Sequence, residues 1–122
     1  MGDFSELKVW QRSKDLAIFI YRISNEEPFS KDFGLRDQMR RAGVSIPSNI
    51  AEGDELKTNK QAIRFFFMAK GSLAELRTQA QIAFEVGYLS QETYGYIQNE
   101  CKAISSMLTK LIQVRSKNNV LT

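Results

Sequence analysis

The chain has 122 residues, of which 43% are hydrophobic and 25% charged, as is ordinary for one soluble globular domain. Its net charge of +3 is small for a protein that binds nucleic acid. No apolar run reaches the ~18 residues that a membrane-spanning helix needs. The absence of histidine removes the commonest general base and metal ligand. We therefore expect a single domain over residues 1–122 that is not an enzyme, carries no cofactor or metal and does not enter a membrane.

Cys101 is the only cysteine, which excludes an internal disulfide and fits a reducing cytoplasm. It lies on a predicted apolar stripe, so we expect an inert, buried thiol rather than a nucleophile. We accordingly predict a cytoplasmic protein.

Apolar residues recur at intervals of three and four in four segments, which is typical of helices that bury one face. The first segment predicts a helix over residues 6–24, and Pro28 separates it from the next. The second segment predicts a helix over residues 31–53, with Ser30 as its N-cap.

Pro47 lies inside the apolar stripe of the second helix. A proline there removes the hydrogen bond to the carbonyl of Gly43, four residues earlier. We expect a kink near Gly43–Pro47 that bends the helix around the core, or a break with a new helical segment starting at Pro47. The functional alternative is that the kink shapes a groove.

The third helix is predicted over residues 59–86, after a polar loop over residues 53–59. Thr58 is its predicted N-cap and Gly87 its left-handed C-cap. Its stripe is the longest in the chain and consists of Ala62, Phe66, Ala69, Leu73, Leu76, Ala80 and Ala83.

Ser90 is the predicted N-cap of a fourth helix over residues 90–115, and residues 116–122 are expected to fray. Four helices with short connections predict an all-α, antiparallel, up-down-up-down four-helix bundle whose second helix is kinked near Pro47.

Three consecutive phenylalanines lie near the start of the third helix. At ~100° per residue, Phe65 and Phe67 on either side of Phe66 spread the rings over ~200° of the helix. A helix in a small monomeric bundle buries a narrower stripe. We therefore expect Phe65 or Phe67 to contact a second copy of the chain.

A polar row runs along one face of the second helix, at intervals of four, four and three: Arg41, Ser45, Asn49 and Glu52. The row borders the apolar stripe, so we expect its members to be partly covered and to hydrogen-bond across a helix interface. We predict structural pairing for Arg41 and Glu52.

Cations in two places are candidates for binding nucleic acid. Arg36 and Arg40, four residues apart, are predicted to form an exposed basic strip, or to hold a small anion or RNA phosphate together with Arg41. The second set lies at the end of the chain, where no acid follows Glu100, and consists of Lys102, Lys110, Arg115 and Lys117. These residues form either a phosphate-binding face or the cations that a helix C-terminus favours.

Three segments of the chain resemble a known family: FSELKVWQRSKDLAIFIY, QMRRAGVSIPSNIAEG and FFFMAKGSLAELRTQAQIAFEVGYL. They are similar to the bacterial four-helix bundle proteins named after intervening sequences in 23S ribosomal RNA genes. The resemblance implies an antiparallel bundle that assembles as a homopentamer, and it implies an RNA-related role. A related group of pentameric bundles serves reverse transcriptases as nucleic-acid-binding accessories.

Three functions follow from these features. The first is a non-enzymatic homo-oligomer that binds structured RNA or a nucleic-acid enzyme. The second is a protein-interaction scaffold without a nucleic-acid role, which the near-balanced charge and the acidic Asp54 and Glu55 favour. The third, an enzyme for small substrates held between helices, has no paired catalytic groups to support it.

Overall fold

A computed structural model describes residues 3–56 and 58–118 of the chain. Its elements are two short 3-10 turns, Phe4–Glu6 and Phe29–Lys31, and four helices: α1 (Lys8–Ile23), α2 (Phe33–Glu55), α3 (Asn59–Glu85) and α4 (Gln91–Asn118). Each helix packs against the next one along the chain, and a smaller contact between α1 and α4 closes the bundle. The predicted all-α four-helix bundle is confirmed.

The core consists of the apolar stripes that the sequence predicts. All seven members of the α3 stripe are buried, and so are Ile97, Cys101, Ile104 and Leu108 of α4.

Pro47 lies within a continuous α2, so the predicted break at this residue is wrong. Both Gly43 and Pro47 are buried, and Gly43 faces Ala17, whose Cα would lie 3.6 Å from a methyl group on the glycine. Close packing against α1 holds this turn helical despite the missing hydrogen bond. A bend at Pro47 stays a prediction.

Asp32, not the predicted Ser30, caps α2. Its Oδ1 accepts a hydrogen bond of 3.1 Å from the Leu35 amide, whereas Ser30 falls within a 3-10 turn. The Tyr88 hydroxyl donates to Asp32 Oδ2 at 2.9 Å and thereby holds the capping carboxylate in place. Asp and Ser are comparable caps, so this contact from a distant part of the chain favours Asp32.

The connection between α2 and α3 is shorter than the predicted loop over residues 53–59. Gly53 lies inside α2, which continues to Glu55, because this glycine serves a close helix–helix approach rather than a turn. A methyl group on Gly53 would lie 2.8 Å from Phe66 Cε1 and 3.1 Å from the Ala62 carbonyl oxygen.

The predicted caps of α3 and α4 are confirmed, but α1 begins at Lys8 rather than at the predicted residue 6. Thr58 Oγ1 accepts from the Gln61 amide at 3.2 Å, Ser90 Oγ accepts from the Thr93 amide at 3.0 Å, and Gly87 has a φ of 90°. The last helix is longer than predicted, since α4 continues through Asn118, and residues 119–122 lie outside the described residues.

Candidate interaction surfaces

The middle of the polar row joins α2 to α3, as predicted. Ser45 Oγ and Ser72 Oγ share a hydrogen bond of 2.8 Å across the interface. Asn49 Nδ2 donates to Ser45 Oγ at 3.0 Å and to the Ser45 carbonyl oxygen at 2.9 Å. These bonds satisfy polar groups that the helix contact partly buries.

The ends of the row do not pair with each other, so the predicted pairing of Arg41 with Glu52 is wrong. Both residues are exposed. Eleven residues of helix separate them by about 16 Å, too far for an ion pair along one helix. Arg41 instead lines a polar concavity of about 370 Å³ between α2 and α3, together with Glu75 and Gln79.

Arg36 and Arg40 do not form the predicted exposed strip, because contacts within the chain hold each guanidinium. Arg36 Nη1 donates to the Ser30 carbonyl oxygen at 3.0 Å, and its Nε donates to Asp37 Oδ1 at 2.9 Å. Arg40 Nε donates to Ser24 Oγ at 2.8 Å, and its guanidinium lies 4.7 Å from the centre of the Tyr21 ring. The two side chains therefore tie the start of α2 to neighbouring segments.

Arg115 is also engaged within the bundle. Its Nη2 donates to Asp54 Oδ1 at 3.0 Å and its Nη1 to Asn59 Oδ1 at 3.2 Å, while the guanidinium lies 5.7 Å from the centre of the buried Phe66 ring. This arginine joins the end of α4 to the connection between α2 and α3.

Three of the six predicted basic candidates point to solvent. Lys102, Lys110 and Lys117 are exposed, and none of them forms an ion pair with a described residue. Lys110 and Lys117 are seven residues apart and so share one side of α4. Lys8 of α1 lines the same groove as Lys110. We call Lys8, Lys110 and Lys117 the lysine face.

An apolar groove runs along the lysine face between α1 and α4, with a volume of about 270 Å³. Its apolar lining residues are Leu7, Val9, Met107, Leu111 and Val114. The sequence does not reveal the contribution of Lys8, because only the packing of α1 on α4 brings it beside Lys110.

The two interface candidates of α3 differ in their surroundings. Phe65 is half-buried against α2, where its Cβ would lie 3.1 Å from a methyl group on Gly53. Phe67 is 57% exposed, and the adjacent Met68 is also exposed. Phe67 is therefore the aromatic side chain available to a second copy.

A second apolar surface, which sequence reasoning missed, lies between α1 and α2. Ile18, Tyr21 and Val44 are between 40% and 46% exposed and line a groove of about 420 Å³, which we call the α1/α2 groove. Its floor includes Ala17 and Pro47, both buried. Ile18 and Val44 lie off the core stripes of their helices, and that displacement is the signal that predicts an exposed apolar position.

Cys101 is fully buried, and desolvation raises the pKa of its thiol to about 12. The predicted burial of the thiol is confirmed, and its inertness stays a prediction, which the raised pKa supports because the nucleophilic form is the thiolate. Over the described ranges, no three His, Cys, Asp or Glu side chains gather in a group that could hold a metal ion. In the same ranges, no helix combines the length and apolarity that crossing a membrane requires.

The fold and its surfaces define the class: a small antiparallel four-helix bundle with exposed lysines on its last helix and apolar patches on its outside. The family described as 23S rRNA-intervening sequence protein matches residues 5–110, and the chain belongs to this family.

A similar solved structure is a protein of unknown function from the S23 ribosomal protein family of Bacteroides thetaiotaomicron. It is 25% identical, and the match covers 85% of this chain and 97% of that one with a TM-score of 0.78. No protein with a curated description matches this chain.

Proposed function

We propose that the protein is a non-enzymatic, cytoplasmic homo-oligomer, a pentamer, that binds RNA through the lysine face. The observation that carries this proposal is the difference among the basic candidates. Arg36, Arg40 and Arg115 are held within the chain, whereas Lys110 and Lys117 are exposed without an ion-pair partner among the described residues.

Phosphate binding by exposed lysines needs no precise geometry, because the ammonium group acts as a point charge. From Lys102 to Lys117 the helix carries no acid that would repel a phosphate. A ring would repeat the lysine face five times, so weak contacts in each subunit would sum to an avid interaction. The description of the family, with its reference to 23S rRNA, favours RNA as the nucleic acid.

Light scattering during size exclusion, on protein purified without nuclease, tests the assembly. A mass near five times 14.0 kDa, together with excess absorbance at 260 nm, is the expected result. A mass of 14.0 kDa at micromolar concentration would contradict the oligomer.

Fluorescence anisotropy with a labelled RNA hairpin tests whether the lysine face binds RNA. We expect Lys110→Gln/Lys117→Gln to lower the affinity at least tenfold and to reduce the slope of log K against log salt by about 1.4–1.8. The matched control is Arg22→Gln/Lys60→Gln, which removes two exposed cations elsewhere on the surface, neither in an ion pair with a described residue. Equal losses in the two variants would mean that only net charge matters, and salt-independent binding would exclude phosphate contacts.

The apolar groove between α1 and α4 favours a second candidate, a scaffold that binds another protein. Two acidic residues also favour a scaffold in the sequence. Asp54 accepts a hydrogen bond from Arg115, whereas Glu55 is exposed. An oligomer that purifies free of nucleic acid and does not bind the hairpin would support this function over the first.

A further inference from the structure

We propose that the solvent-facing side of α3 in one subunit lies in the α1/α2 groove of the next subunit, with the two helices α3 and α2 antiparallel. This inference rests on the proposed homo-oligomer and names the surfaces that form it.

Helix α3 carries a second stripe, opposite the one that faces the core. Its members recur at intervals of four, three, four and four and are all exposed: Phe67, Gly71, Ala74, Thr78 and Ile82. We call this set the outer stripe. Its apolar ends are large and well exposed, at 57% for Phe67 and 47% for Ile82.

The side chains at the centre of the outer stripe are small, and the one hydroxyl among them is already hydrogen-bonded. A methyl group on Gly71 would meet nothing within 4 Å, so the space beside this residue is open. Thr78 Oγ1 donates to the Ala74 carbonyl oxygen at 2.9 Å and needs no external partner. A helix face with small side chains in the middle and large apolar side chains at both ends permits close approach of another helix.

The α1/α2 groove provides the complementary shape. It is largely apolar and about 420 Å³ in volume, large enough to receive the side chains of a short stripe. Because the groove and the outer stripe belong to different helices, one subunit can use both at once. Contacts between two different surfaces are heterologous and close into a ring when the rotation permits.

Charges at the ends of the two surfaces are complementary and fix the orientation. Arg64 precedes the outer stripe and Glu75 borders its middle, and both are exposed. At the groove, Glu55 follows one end, and Arg40 lies over Tyr21 at the other, with only its Nη1 not bonded to a described residue. Like charges would meet if the helices were parallel, whereas the antiparallel arrangement places Arg64 beside Glu55 and Glu75 beside Arg40.

The spacing along the helices supports this register. Arg64 and Glu75 are about 16 Å apart along α3, and Glu55 and Arg40 are about 22 Å apart along α2, at 1.5 Å per residue. The length of the arginine side chains spans the difference. With Arg64 beside Glu55, the same rise places Phe67 level with Glu52 and Ala74 level with Ser45. Each of these α2 positions is one residue away from a lining residue of the groove.

Three variants test the contact by light scattering during size exclusion. Gly71→Trp blocks the outer stripe and Val44→Asp places a charge in the groove, so each variant alone is expected to run as a 14.0 kDa monomer. Val114→Asp, at an exposed valine of α4 outside both surfaces, is the matched control and keeps the wild-type mass. Circular dichroism checks that all three variants remain helical.

Mixing the two interface variants distinguishes a heterologous contact from a symmetric one. Val44→Asp protein retains its outer stripe and Gly71→Trp protein retains its groove, so an equimolar mixture should form a dimer of twice the subunit mass. A mixture that stays monomeric would overturn the proposal. As an independent check, Arg64→Glu should weaken assembly and the double variant Arg64→Glu/Glu55→Arg should restore it.

The outcomes separate this inference from the proposed function. A monomeric wild-type protein would overturn both the oligomer and this contact. A wild-type oligomer whose mass neither Gly71→Trp nor Val44→Asp changes would overturn the contact alone and leave the oligomer in place.

Discussion

Arg115 Nη2 lies 3.0 Å from Asp54 Oδ1, and the two side chains are only 17% and 11% exposed. The residues are 61 positions apart in the chain, so their contact ties the last helix to the end of the second. A largely buried guanidinium that also lies over the Phe66 ring serves the bundle rather than a ligand.

Removing this ion pair should lower the free energy of unfolding. We expect Arg115→Ala to cost about 2–3 kcal/mol, because it leaves a partly buried carboxylate without its charged donor. Urea unfolding of Arg115→Ala, Asp54→Ala and the double variant gives the coupling energy. Lys117→Ala, exposed two residues later, is the control and should change stability by less than about 0.5 kcal/mol. Additive losses in the double variant would show that the two residues do not interact.

Gly53 should tolerate no side chain, because atoms of α3 fill the space that a methyl group would need. Gly53→Ala would push against the fully buried Phe66 ring and the Ala62 backbone, at an expected cost of about 1–3 kcal/mol. Gly95→Ala is the matched control in α4, where a methyl group meets nothing within 4 Å. It should stabilise the helix by about 0.5–1 kcal/mol. Urea midpoints that move in the same direction for both variants would contradict the close approach.

The ion pair of Arg12 with Glu100 should make stability depend on pH. Arg12 donates to both carboxylate oxygens, at 2.9 and 3.0 Å, and these hydrogen bonds hold the pKa of Glu100 below its ordinary value of 4.5. A lowered carboxyl pKa stabilises the folded state above pH 4.5, and this contribution is lost as the pH falls through the folded-state pKa.

We therefore expect Glu100→Gln to lower the free energy of unfolding at pH 7 by about 0.5 kcal/mol, a small effect because the Arg12 side chain is 46% exposed to solvent. The difference from wild type should vanish in acid, below the folded-state pKa. Glu26→Gln, in the exposed connection after α1, is the control and should show little difference at either pH. A Glu100→Gln difference that does not change with pH would contradict the lowered pKa.

Cys101 should resist alkylation in the folded protein. With a pKa of about 12 for its buried thiol, the thiolate fraction at pH 8 is on the order of one in ten thousand. Iodoacetamide labelling, followed by mass spectrometry, should be slow in buffer and fast in urea. A Ser106→Cys variant provides an exposed thiol on the same helix for comparison. Equal labelling rates at the two positions in buffer would contradict the burial of Cys101.

The sequence by itself determined the helices and the faces that they bury. The stripe from Ala62 to Ala83 is buried throughout, and Thr58, Gly87 and Ser90 lie at helix ends as predicted. These signals are local, since a helix repeats every 3.6 residues and a cap acts within one turn. They need no knowledge of what packs against the helix.

Only the tertiary structure decided which charged and apolar side chains remain available. Spacing alone placed Arg36, Arg40 and Arg115 with the exposed lysines, yet Ser30, Ser24 and Asp54 accept their hydrogen bonds. Likewise, Phe65 packs beside Gly53 while Phe67 faces solvent. The partners of such side chains lie on other segments or helices, and the energy of a charge or a ring depends on its neighbours in space rather than on its position in a helical repeat.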